Sequence, residues 1–188
     1  MPDRVRMGGV LIDAILASSE IDLLRARIDW LSPVVDHFIV AESPRTFSGK
    51  PKPLHVTENL FRFADVADRL TVVTYDVTND SRWEVEFAAR HALRDAVIQI
   101  GDADDIVVVA DLDEIPSREQ MVEARSITEV RVVGMVSYYR RANWIPLYHS
   151  NWPCVKVCPV GQLPENLNNL RAFEIDGVTG LDSAPGGH

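Results

Sequence analysis

The sequence predicts an α/β fold, a mostly parallel mixed sheet flanked by helices, in a single domain over residues 1–188. Three observations predict it. Short apolar runs rich in β-branched residues recur along the chain, and helical patterns separate them. One run, Ile106-Val107-Val108-Val109-Ala110, is apolar without alternation, which suits a strand buried on both faces between layers of helix.

Each element follows in order. "GGVLIDAIL" (8–16) reads as a first strand, and Ser19, three residues before Asp22, is a helix-start signal. Ile21, Leu24, Ile28 and Leu31 then mark one helical face until Pro33. "DHFIVAES" (36–43) is a second strand, "PRTFSGKPKP" (44–53) a polar loop stiffened by three prolines, and "LTVVTYDV" (70–77) a third strand. A helix is expected from about Ser81 to Ile100, with Trp83, Phe87, Leu93, Val97 and Ile100 as its apolar stripe. Glu86 and Arg90 fall inside that stripe, where a charge must be paired or put to use. Two readings fit them: a structural salt bridge, or an Arg90 that reaches toward a site and is oriented by Glu86. Ser117 to Arg125 reads as a short helix and "VRVVGMVSYYRR" (130–141) as a further strand. Tyr138, Tyr139 and Trp144 add aromatic surface suited either to core packing or to stacking on a sugar. From Gly161 onward the pattern weakens, and no internal repeat is evident.

Composition narrows the function. With 188 residues, 46% of them hydrophobic and 25% charged, the chain has the make-up of one soluble globular domain. No apolar stretch is long enough to span a bilayer, and Met1-Pro2-Asp3-Arg4 does not begin a signal peptide, so a cytoplasmic location, or the soluble part of something larger, is expected. A net charge of -9 argues against a nucleic-acid partner, which calls for clustered Lys and Arg. The lysines are Lys50, Lys52 and Lys156, and the first two share a loop where they could meet phosphate or only solvate it. Cys154 and Cys158 lie in an extended "PCVKVCP", roughly 13 Å apart and too far for a disulfide. Zinc would need two further ligands, with His149 alone nearby, so idle thiols in a reducing compartment are expected.

The chemistry concentrates at Asp111-Leu112-Asp113-Glu114, which follows the apolar run directly. Ligands of open α/β sheets bind outside the carboxyl ends of the strands, so Asp111 and Asp113 would meet a substrate there. Two carboxylates one residue apart repel each other, and a hard divalent cation with oxygen ligands relieves that field. An acidic turn that merely ends a strand is the alternative.

Four blocks resemble glycosyltransferase family 17, whose known activity is that of a β-1,4-mannosyl-glycoprotein 4-β-N-acetylglucosaminyltransferase. They are "EIDLLRARIDWLSPVVDHFIVAES" (20–43), "TFSGKPKPLH" (46–55), "WEVEFAAR" (83–90) and "DDIVVVADLDEIP" (104–116), in the order the family shows. The resemblance implies a GT-A type nucleotide-sugar-binding fold and an inverting transfer of an N-acetylglucosamine-like sugar from a UDP-sugar donor to a glycan acceptor. It also implies manganese or magnesium on the donor diphosphate, held by Asp111, Asp113 and a late histidine, His188. Catalytic positions would be Asp111, Asp113 and Glu114, and donor-binding positions Glu20, Lys50, Lys52, Arg90 and Asp111. The family usually carries a Gly-Trp-His segment followed by further sequence, whereas this chain ends at Gly186-Gly187-His188, so a chain shortened on its acceptor side is expected. Two other classes compete. A haloacid-dehalogenase-type phosphohydrolase also places a strand before Asp-x-Asp, though the motif here lies far into the chain and Ile115 stands where that class favours Thr or Val. The other is a non-catalytic sugar-nucleotide-binding module.

Overall fold

A computed structural model describes residues 9–46, 48–76, 82–136, 151–152, 155–171 and 180–181, without the side chains of 82, 83, 136, 151, 152, 180 and 181. The four expected apolar runs form strands β1 (Leu11–Leu16), β2 (His37–Glu42), β3 (Leu70–Thr74) and β4 (Ile106–Asp111). Helix α1 (Ile21–Leu31) joins β1 to β2, a short α2 (His55–Glu58) and a 3-10 helix (Leu60–Arg69) precede β3, and α3 (Arg82–Ile100) joins β3 to β4. Beyond α4 (Arg118–Ala124) come β5 (Arg131–Val133), β6 (Met135–Val136), β7 (Asn151–Trp152), β8 (Lys156–Pro159), α5 (Leu167–Leu170) and β9 (Gly180–Leu181). Residues 137–150, and with them Tyr138, Tyr139, Trp144 and His149, lie outside the described residues.

The main sheet runs β3-β2-β1-β4-β8-β5-β9. Strands β3, β2, β1 and β4 are mutually parallel; β8 is antiparallel to β4 and β5, and β9 runs parallel to β5. The sheet is therefore mixed, with its parallel half at the centre of the chain's expected α/β pattern. β6 and β7 pair separately.

Helices cover both faces, which explains why the strands lack alternation. Leu11, Ile15, Phe38, Val40, Ile106 and Val108 pack against Leu24, Ile28 and Leu31 of α1 and Met121 of α4. Ile12, Ala14, Ile39, Ala41, Val107 and Val109 pack against Leu93, Ala96 and Val97 of α3 and Leu167 and Leu170 of α5. No helix among the described residues is long and apolar enough to cross a membrane.

Two local expectations are corrected. Ser19 does not cap α1: Glu20 holds the N-cap position, and its carboxylate instead accepts from the amides of Ser18 and Ser19. The stripe of α3 is rotated from the one drawn through the large residues. Phe87 is 44% and Ile100 41% exposed, while Val85, Ala89, Leu93, Ala96 and Val97 are buried. Small alanines let the helix lie close over β1 and β2, a preference that ranking by hydrophobicity misses. α4 follows its sequence signal, with a capping box in which Ser117 and Gln120 bond each other's backbone amides. Cys158 is buried and forms no disulfide among the described residues, and Cys154 lies outside them.

Candidate active site

The parallel strands run outward from β1 in both directions, to β2 and β3 on one side and to β4 on the other. The crevice beyond their carboxyl ends, where the connections part, is where open α/β sheets bind ligands. A cleft of about 390 Å³ lies at that place. Ser18 follows β1, Ser43 and Arg45 follow β2, Tyr75 follows β3, Asp111 ends β4 and Asp113 lies in the turn after it; Glu86 and Arg90 of α3 and Lys52 of the proline-rich loop also line it.

The two-residue period of β4 decides what Asp111 faces. Val107 and Val109 pack on the α3 side of the sheet, so Asp111 emerges on that side as well, opposite Arg90. Arg90 Nη2 lies 3.0 Å from Asp111 Oδ1 and 3.5 Å from Glu86. Arg171, just after α5, places Nη2 3.0 Å from Asp111 Oδ2. Arg171 also grips Glu114 through Nη1 at 2.6 Å and Nη2 at 2.9 Å. Glu114 is buried and accepts from the Asp111 amide at 2.6 Å, which closes the turn on itself. The charges of Asp111 and Glu114 are thus countered by two guanidinium groups, where the sequence offered either a cation or an acidic turn that merely ends a strand.

A buried ion pair supports the turn from below. Arg27 and Asp13 are both fully buried and joined by two bonds of 2.8 Å, Nε and Nη2 donating. The remaining nitrogen, Nη1, donates to the carbonyls of Asp111, Leu112 and Glu114 at 3.1, 3.2 and 2.8 Å. Through five contacts from its three nitrogens, one arginine therefore ties β1, α1 and the acidic turn together. The backbone that carries Asp113 is held from within, while the Asp113 side chain is exposed and makes no hydrogen bond or ion pair among the described residues.

Arg90 is only 4% exposed, and its Nε and Nη1 have no hydrogen-bond partner among the described residues. Buried donors without partners are costly, and these two belong to a side chain that lines the cleft. Burial also raises the Tyr75 phenol to about 12, although the Arg90 charge pulls the other way. Tyr75 is therefore a neutral hydroxyl at the cleft.

The other expected site residues fall into three groups. Glu20 reaches the cleft but spends its carboxylate on the turn before α1. Lys52 reaches it too, its Nζ 3.3 Å from the Ser18 carbonyl; desolvation lowers its pKa, opposed by Glu42 and Glu20. Lys50 is exposed and does not line the cleft. His188 lies outside the described residues. Among the described residues no three or more His, Cys, Asp or Glu side chains are grouped to hold a metal. Asp111 and Asp113 nonetheless fit a magnesium or manganese ion, which characteristically takes one or two carboxylates and draws its other oxygens from water and substrate phosphates.

Asp13, Arg27 and Arg171 were not anticipated from the sequence. Arg27 carried a usable signal, since it lies on the face drawn through Leu24, Ile28 and Leu31, the same anomaly that marked Arg90. Asp13 is the one charge inside an otherwise apolar strand. Arg171 carried no signal, because its position depends on a long-range return of the chain.

Comparison with known proteins agrees with the resemblance. The human β-1,4-mannosyl-glycoprotein 4-β-N-acetylglucosaminyltransferase is 33% identical over 118 residues, covering 58% of this chain and 22% of that protein. The same enzyme from Rattus norvegicus matches at 33% over 118 residues, with the same coverage. The chain thus spans about a fifth of the length of these curated relatives. The apo structure of the bifunctional glycosyltransferase WbbM covers 86% of this chain and 33% of its own at 13% identity and a TM-score of 0.42, too distant a likeness to bear on fold or function. The sequence model of glycosyltransferase family 17 matches residues 4–134. That match takes in more than two thirds of the chain and every strand whose end borders the cleft, and the chain belongs to glycosyltransferase family 17.

Proposed function

We propose that the cleft binds a nucleotide-sugar donor, and that the chain is the donor-binding part of a divalent-cation-dependent, inverting glycosyltransferase of GT-A type. The donor in this reading is a UDP-sugar, with N-acetylglucosamine as the sugar, and the acceptor is a glycan. Family membership supports the class of chemistry. The single observation that carries the ligand is Arg90, nearly buried at the cleft with two nitrogens still to be satisfied, between the carboxylates of Asp111 and Glu86.

A diphosphate answers that arrangement. Its oxygens would satisfy Arg90 Nε and Nη1, both buried as they stand, once the side chain turns toward the cleft, and Lys52 offers a second positive charge at the cleft. Asp111 and Asp113 would hold the cation, which when bound neutralises charge on the departing nucleoside diphosphate. Glu114, with both oxygens engaged, serves by fixing the turn. Arg27 serves in the same way from beneath. Lys50, exposed on the loop, is assigned to the diphosphate only as a more distant charge, and Glu20 shapes the entry to α1 at the cleft rim.

A panel of nucleotide sugars tests this reading. Release of nucleoside diphosphate from UDP-N-acetylglucosamine should require manganese or magnesium and should exceed release from GDP- and ADP-sugars. Hydrolysis of aryl phosphates with the donors inert would favour the phosphohydrolase class instead.

A further inference from the structure

The carboxylate that the cation would need is already occupied. Asp111 Oδ1 is 3.0 Å from Arg90 and Oδ2 is 3.0 Å from Arg171, so a cation arriving alone finds both oxygens taken by guanidinium groups. Arg171 is well placed to stay: its side chain is 8% exposed and it grips both oxygens of Glu114. It lies beyond residues 4–134, the stretch matched by the family model.

We propose that Arg171 is a positioning residue that makes cation binding conditional on the donor diphosphate. This rests on the reading of the cleft as a site for a nucleotide diphosphate with a divalent cation. Without the diphosphate, a cation at Asp111 must displace guanidinium nitrogens and then sit beside two positive charges. Its other coordination positions would have to be filled largely by water, because Asp113 is the one additional carboxylate the acidic turn offers to the cleft. With the diphosphate, negative charge enters the same space. Arg90 gains acceptors for Nε and Nη1, phosphate oxygens complete the cation's shell, and Arg171 can release Asp111 while keeping Glu114. Arg171 thus acts as a tethered counter-charge that holds the acidic turn in shape until donor and cation arrive together.

Manganese binding to the whole chain, followed by electron paramagnetic resonance of the free ion, tests this with and without UDP after allowing for the manganese–UDP complex in solution. The wild type should bind manganese at least tenfold more tightly with UDP than without. In Arg171→Met, affinity for manganese alone should rise at least fivefold and the dependence on UDP should shrink, whereas Arg171→Lys, which keeps the charge, should retain most of that dependence. A merely structural arginine would lower thermal stability without raising affinity for the bare ion, so unchanged or weaker manganese binding in Arg171→Met overturns the proposal. If that variant does not fold, the wild type decides: equal manganese affinity with and without UDP overturns it. Intact binding of UDP with manganese alongside either of these results leaves the donor reading standing, while no binding of UDP with manganese to the wild type ends both.

Discussion

Replacing Arg27 by Met separates what holds the fold from what holds the site. Arg27 and Asp13 are both fully buried, and the substitution leaves the Asp13 carboxylate without its two 2.8 Å partners. Breaking a buried pair from one side costs about 3–5 kcal/mol. Domains are stable by only about 5–15 kcal/mol, so this is a large fraction. With a urea slope of about 2 kcal/mol per molar, the unfolding midpoint should fall by roughly 1.5–2.5 M. The double variant Asp13→Leu with Arg27→Met removes both charges and should recover most of that loss, because an apolar pair of similar volume avoids the desolvation penalty. It should not recover donor binding. The carbonyls of Asp111, Leu112 and Glu114 still lose the donor that fixes the turn. Urea titrations followed by tryptophan fluorescence, together with calorimetric donor titrations, check both halves. A single variant within about 0.3 M of the wild-type midpoint would refute the energetic reasoning, a shift too small for the loss of a buried pair. Wild-type donor affinity in the double variant would refute the role given to the turn.

Further expectations follow from the same contacts. Arg90→Met should weaken donor binding by roughly ten- to a hundredfold, the worth of charge-assisted hydrogen bonds, yet shift the melting temperature little because it also removes two unpartnered buried nitrogens; calorimetry and thermal melts read the two effects. Burial raises the Cys158 thiol to about 12, so in a Cys154→Ser background iodoacetamide at pH 8 should label it only after unfolding. The sign of the linkage is that of a raised pKa: the contribution of the protonated thiol is whole below the unfolded value of about 8.5 and is lost as pH climbs toward the folded one, which stability measured from pH 8 upward should show. Gly9→Ala would place a methyl group 2.6 Å from the Asp104 carbonyl oxygen and 2.9 Å from the Asp105 Cα, both backbone atoms, and should cost about 1–3 kcal/mol in urea unfolding.

The sequence made β4 legible because burial on both faces leaves a distinctive unbroken β-branched run, and β1, β2 and β3 form where shorter or interrupted apolar runs occur. Arg90 was legible for a related reason: a charge on an inward helical face is an anomaly whatever its purpose. The burial register of α3 was not, since Phe87 and Ile100 are more hydrophobic than the alanines that lie against the sheet, and only the packing distance reveals which side wins. Nor was the neutralisation of the acidic turn. Arg27 stands 84 residues from Asp111 and Arg171 stands 60 residues from it, separations over which local pattern carries no information. The later strands were obscure in the same way: β8 inserts between β4 and β5 in space although it follows both in the chain.

Calorimetric titration of UDP-N-acetylglucosamine into the chain, in manganese and again in excess chelator, bears most directly on whether this cleft is a cation-dependent donor site. Binding should be seen with manganese, disappear in chelator, and weaken at least tenfold in Asp113→Ala, which deletes the exposed carboxylate at the cleft while leaving Arg27, Glu114 and Arg171 in place. Equal affinity in manganese and in chelator, unchanged by Asp113→Ala, would contradict it.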